Sequence, residues 1–111
     1  SKNEFLKMKK NCILVNTSRG SIINEKDMIW ALENKIIFGA GLDVFEKEPP
    51  NIQNKLLKFK NVVLTPHVAA LSIESQKRMS VETCTNIVNF LNNNKSLNIE
   101  NFVNRDKINL D

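Results

Sequence analysis

Three short apolar runs, none alternating with polar residues, constrain this chain more than any other feature. The first is Cys12 to Val15, the second Ile36 to Val44 and the third Val62 to Leu64. An unbroken run of this kind fits a strand covered on both faces, as in a parallel sheet. Between the first two, Met28, Ala31 and Leu32 fall at i, i+3 and i+4, the stripe of a core-facing helix. Asn24 can cap that helix, with Asp27 at its third position. Strands separated by a helix and by a long connection predict parallel βαβ winding.

Three strands are too few for a closed doubly wound domain. The expected fold is therefore α/β, half of a doubly wound parallel, Rossmann-like sheet plus a long C-terminal crossover helix. Ser72 should cap that helix, which runs to about Asn92 with Cys84, Ile87, Val88 and Leu91 as its stripe. A short amphipathic helix from Glu4 to Lys10, ended by Asn11, precedes the first strand. Glu46 to Asn61 reads as a loop stiffened by Pro49 and Pro50, with a helical turn over Asn54 to Phe59. Leu97, Ile99, Phe102 and Val103 in the tail are expected to pack on something. The expected units are 1–71, the half sheet; 72–93, the crossover helix; and 94–111, the tail. Beginning at Ser1 inside an expected helix, the 111 residues read as an excised segment.

A formal charge of +4 and a pI near 9.2 raise the question of nucleic acid. The lysines are scattered among acids, however, and the chain has no tyrosine and no interleaving of aromatic with basic residues. Solvated helix faces explain the charge better, so no nucleic-acid partner is expected. No stretch approaches the roughly 20 apolar residues of a membrane span. Cys12 and Cys84 lack a CxxC partner and a nearby histidine, which argues against a metal site. They read as buried, reduced thiols of a cytoplasmic protein.

The chemistry sits just beyond the apolar runs, where an open parallel sheet places its ligands. Arg19 in VNTSRG offers a planar fork of donors suited to a small carboxylate. Asp43 ends the second run and cannot be buried there without donors, from backbone amides or from a ligand carboxamide. Glu48 precedes the two prolines, and His67 is the only histidine. A carboxylate beside an imidazole fixes its ring and favours its charged form. Ala69 and Ala70 leave room beside His67 for a flat ring or a substrate.

The segments MKKNCILVNTSRGSIINEKDMIWAL, GAGLDVFEKEPP and NVVLTPHVAALSIES, taken in order, resemble the D-isomer-specific 2-hydroxyacid dehydrogenases. The resemblance covers Phe5 to about Leu91. It implies a hydride transfer between a nicotinamide cofactor, NAD or NADP, and a small 2-hydroxy or 2-oxo acid. By the same resemblance, Arg19 binds the substrate carboxylate, His67 is the general acid or base, and Glu48 is its partner. Asp43 would bind the nicotinamide carboxamide. Thr17, Ser18 and Arg19 would line one side of the ring, and His67, Val68, Ala69 and Ala70 the other. Formate dehydrogenases place glutamine where Glu48 stands. The nineteen residues from Glu48 to His67 are few for the D-lactate branch, which favours a phosphoglycerate or glyoxylate reductase-like member.

Members also carry a GxGxxG loop and a separate substrate domain, neither of which is in these 111 residues. The segment alone is therefore expected to be inactive, and the full protein to be a homodimer. Two alternatives share the motifs: an NAD(H)-sensing binding protein resembling the C-terminal-binding-protein corepressors, and an inactive truncated remnant.

Overall fold

A computed structural model describes residues 1–92 and Val103. The chain divides into two compact units, Ser1–Ala69 and Ala70–Asp111. In the first unit, helix α1 spans Lys2–Leu6, strand β1 Ile13–Asn16, helix α2 Glu25–Glu33, strand β2 Gly39–Leu42 and strand β3 Val62–Leu64. Two 3-10 turns, Gly20–Ile22 and Lys55–Lys58, lie in the connections. The strands form one parallel sheet in the order β1-β2-β3. Half a doubly wound sheet is what forms.

Register decides which side of the sheet is core. Leu14, Ala40 and Val62 align across the strands, as do Asn16, Leu42 and Leu64. This face carries the core, where Ala40 and Leu42 join Phe5, Met28, Ala31, Leu32, Ile37 and Leu56. Val15, Gly41 and Val63 align on the opposite face, where Val15 is 64% and Val63 70% exposed. Ile13 lies on that face too and is 60% exposed. The expectation of strands covered on both faces is thus corrected. An apolar run shows that a strand suits burial, but not that each face finds a cover within the chain.

Helix α2 begins as its sequence predicts, with the Asn24 side chain accepting from the Asp27 amide at 2.9 Å. It ends in a Schellman motif: the Lys35 amide donates to the Leu32 carbonyl and the Ile36 amide to the Ala31 carbonyl. Lys35 takes the left-handed position, at φ 54°, where glycine is usual. The helix end occupies the backbone as far as Ile36, and β2 runs over Gly39–Leu42, so the strand expected over Ile36 to Val44 is shorter at both ends. Lys35→Gly should raise stability by about 0.5–1 kcal/mol, since a left-handed L-residue costs about 1–2 kcal/mol and glycine gives part of that back as entropy. A urea midpoint that falls instead would contradict this account of the helix end.

Helix α1 forms earlier than the expected Glu4 to Lys10 and stops at Leu6, with Lys7 at its C-cap. Of its apolar points Phe5 is buried, whereas Leu6 is 59% exposed. The thiols are free, but Cys12 is only partly buried and Cys84 is exposed, correcting the expectation that both are buried. Cys84 sits on a helix none of whose residues is buried. That helix, α3, spans Ile73–Leu91 in the second unit, and the Ser72 hydroxyl accepts from the Ser75 amide at 3.1 Å. The expected packing of Leu97, Ile99 and Phe102 lies outside the described residues, and Val103 is exposed. No helix among the described residues is long and apolar enough to cross a membrane.

Candidate active site

The loops after β1 and β2, and the loop after β3 as far as Ala69, belong to the first unit, and each is held by polar contacts. After β1, the Asn16 side chain accepts from the Ser18 amide at 3.1 Å and donates to the Arg19 carbonyl at 2.9 Å. This Asx turn fixes the path of the chain into Arg19. Thr17, Ser18 and Arg19 are exposed, and one guanidinium nitrogen of Arg19 donates to the Ser18 carbonyl at 2.7 Å. The next residue has no room for a side chain. A Cβ on Gly20 would stand 2.0 Å from the carbonyl carbon and oxygen of Phe45 and 2.4 Å from the Glu46 amide. Backbone therefore touches backbone where the first loop meets the second.

In the second loop, the Phe45 amide donates to Glu48 Oε1 at 3.0 Å. The other carboxylate oxygen is left to face His67, and Glu48 Oε2 lies 2.8 Å from His67 Nδ1. The His67 hydrogen bond, then the Phe45 amide, hold the Glu48 carboxyl below the usual carboxylate range. An ionised Glu48 can only accept, so Nδ1 donates to it and Nε2 is left to face a second partner. The side chains of His67 and Glu48 are 48% and 39% exposed, so the pair is reachable from solvent.

Asp43 is 3% exposed and accepts three hydrogen bonds. Its Oδ1 takes the Thr65 hydroxyl and the Val68 amide, the latter at 2.9 Å, and Oδ2 takes the Ala69 amide at 2.9 Å. The Thr65 hydroxyl, followed by these amides, keeps the Asp43 carboxyl below its ordinary range against the opposing effect of burial. A carboxylate lowered in this way stabilises the fold above the ordinary carboxylate range and loses that contribution as pH falls through the lowered value. The unfolding-temperature gap between wild type and Asp43→Asn should be full at neutral pH and close in acid. A gap undiminished at about pH 2 would contradict this.

Arg19, Gly20, Ser21, Phe45, Glu48 and His67 line one open cleft of about 350 Å³. Asp43, Phe45, Pro49, Pro50 and Pro66 line a smaller, mostly apolar hollow of about 160 Å³ that shares His67 and Glu48 with the cleft. A guanidinium, an imidazole and a carboxylate thus meet in one cavity. Ala70 falls in the second unit. Thr65, Asn16 and Gly20 carry no chemistry and were not singled out from the sequence. Asn16 had a local signal, an asparagine between an apolar run and a polar loop. Thr65 and Gly20 had none, because what they touch lies 22 or more residues away.

The cleft can hold a small anion and move a proton to it. A carboxylate has roughly four acceptor positions, and Asp43 uses three, so the set fits one further donor such as a carboxamide NH2. The residues thus suit the nicotinamide end of a dinucleotide. No group of three or more histidine, cysteine, aspartate or glutamate side chains among the described residues could hold a metal.

A parallel sheet with its polar groups at the carboxyl edge is the ligand-binding arrangement of open α/β proteins. More closely, the chain belongs to the D-isomer specific 2-hydroxyacid dehydrogenase family and matches its NAD binding domain over residues 1–69. It is 42% identical to glyoxylate/hydroxypyruvate reductase B of Enterobacter sp. over 100 residues, 90% of this chain and 31% of that protein. It is 42% identical to D-3-phosphoglycerate dehydrogenase of Archaeoglobus fulgidus over 107 residues, 96% of this chain and 20% of that protein. Among solved structures it is similar to the NADPH-dependent glyoxylate/hydroxypyruvate reductase of Sinorhizobium meliloti, in complex with NADP and malonate. That match has a TM-score of 0.73 and 38% identity, and covers 82% of this chain and 28% of that one. The chain spans between a fifth and a third of the length of these relatives.

Proposed function

We propose that the protein carrying these residues is an NAD(P)-dependent oxidoreductase that reduces a small 2-oxo acid to the 2-hydroxy acid, and runs the reverse reaction. The observation that carries the reading is the 2.8 Å contact between His67 Nδ1 and Glu48 Oε2 in the cleft that Arg19 also lines. Arg19 binds the substrate carboxylate through its fork of donors and draws charge toward the adjacent carbonyl. The hydride for the carbonyl carbon would come from a reduced nicotinamide cofactor when one is bound. His67 gives the proton on Nε2 to the carbonyl oxygen, so that no free alkoxide forms. Glu48 keeps the ring oriented and compensates the imidazolium charge, as the carboxylate of a triad does. Asp43 offers its remaining acceptor position to the carboxamide. Thr17 and Ser18 on one loop, with Val68 and Ala69 on the other, border the ring.

The substrate class is supported by the short interval from Glu48 to His67, which favours a phosphoglycerate or glyoxylate reductase-like member over the D-lactate branch, and by relatives named glyoxylate/hydroxypyruvate reductase and D-3-phosphoglycerate dehydrogenase. Helix α3, with none of its residues buried, fits a crossover toward a substrate domain. The test is cofactor oxidation followed by absorbance in the full-length polypeptide, with glyoxylate and hydroxypyruvate as acceptors. Consumption of cofactor with either acid is expected. Tight NADH binding with no consumption would overturn the reading and favour an NAD(H) sensor.

A further inference from the structure

The left-handed backbone at His67 is an unusual feature of the site. Its φ of 57° lies in the left-handed region, which is unfavourable for an L-residue. Such strain persists only where the surroundings impose it. Here one carboxylate brackets the residue. Asp43 accepts from the Thr65 hydroxyl two positions before His67 and from the amides of Val68 and Ala69 just after it. Successive amides beyond a left-handed residue form a backbone concavity that binds an anion, and the Asp43 carboxylate fills it.

We propose that Asp43 and Thr65 are positioning residues for His67, together holding its backbone left-handed so that the ring meets Glu48 and faces the cleft. This deepens the proposed function and rests on His67 being its acid. Asp43 is then more than a contact for the cofactor, because most of its acceptor capacity is spent on the histidine loop. Thr65 separates the two roles, since its hydroxyl is committed to Asp43 and removing it leaves the carboxylate's charge in place. Neither residue is the acid itself.

The experiment compares Thr65→Val, Thr65→Ser, Asp43→Asn and His67→Gln in the full-length polypeptide, at a temperature where circular dichroism shows each variant folded. Thr65→Val should lower kcat by roughly 10²-fold, the cost of a misplacement of about 1 Å, with the KM for cofactor within about twofold of wild type. Thr65→Ser, which restores the hydroxyl, should recover most of the loss. In a His67→Gln background Thr65→Val should cost almost nothing more, because residues acting as a unit are non-additive. An unchanged kcat in Thr65→Val alongside a large loss in His67→Gln would overturn the positioning role and leave the proposed acid standing. Full turnover in His67→Gln would remove the proposed function itself. If Asp43→Asn fails to fold, the two Thr65 variants still decide the question.

Discussion

His67→Gln is expected to lower kcat by about 10²–10⁴-fold, the usual contribution of a positioned general acid, while the dissociation constant for NADH stays close to wild type. Glutamine keeps a polar side chain of similar reach but has no proton to give at neutral pH. Its carboxamide could still donate to Glu48, whose Oε2 lies 2.8 Å from the present imidazole, so the loop should remain in place. The loss should therefore appear in turnover and not in binding. Single-turnover absorbance at saturating cofactor measures it. A variant that turns over at near the wild-type rate would show that the proton comes from elsewhere.

Gly20→Ala is expected to be nearly as damaging, although glycine has no chemistry of its own. The added methyl would meet the Phe45 carbonyl group at 2.0 Å and the Glu46 amide at 2.4 Å. These are backbone atoms, which cannot rotate aside as a side chain can. The Arg19 loop must move away from the Glu48 loop by about 1 Å or more to restore ordinary contact, and such a shift costs about 10²-fold in rate. Overpacking should also cost about 1–3 kcal/mol of stability. The expected signature is a loss of kcat/KM for the oxo acid that exceeds any change in cofactor affinity. Wild-type kcat/KM in a folded Gly20→Ala protein would mean that the two loops need not touch.

What could be read from the residues was local or periodic. Asn24 and Asp27 announced the start of α2, Met28, Ala31 and Leu32 its buried stripe, and Ser72 the start of α3. The apolar runs announced parallel strands, which form one sheet. The open face bearing Ile13, Val15 and Val63 was not legible, since a run of apolar residues is the same whether one face or both are covered. Nor was the late start of β2, because Lys35 occupies a left-handed position that sequence normally marks with glycine. In the site, the nearness of Glu48 and His67 followed from the family pattern. The three hydrogen bonds that occupy Asp43 did not, because their donors lie 22 to 26 residues further on.

In the proposed reaction one cleft grips a carboxylate with Arg19 while His67 serves the carbonyl beside it. Comparing glyoxylate with acetaldehyde, which offers a similar carbonyl but no carboxylate, tests it most directly. Wild type should prefer glyoxylate strongly in kcat/KM. Arg19→Gln should erase at least about tenfold of that preference, since a charge-assisted hydrogen bond contributes about 1.5–3 kcal/mol, with acetaldehyde turnover falling much less than glyoxylate turnover. An Arg19→Gln protein that keeps the full preference for glyoxylate would place the carboxylate somewhere other than this cleft.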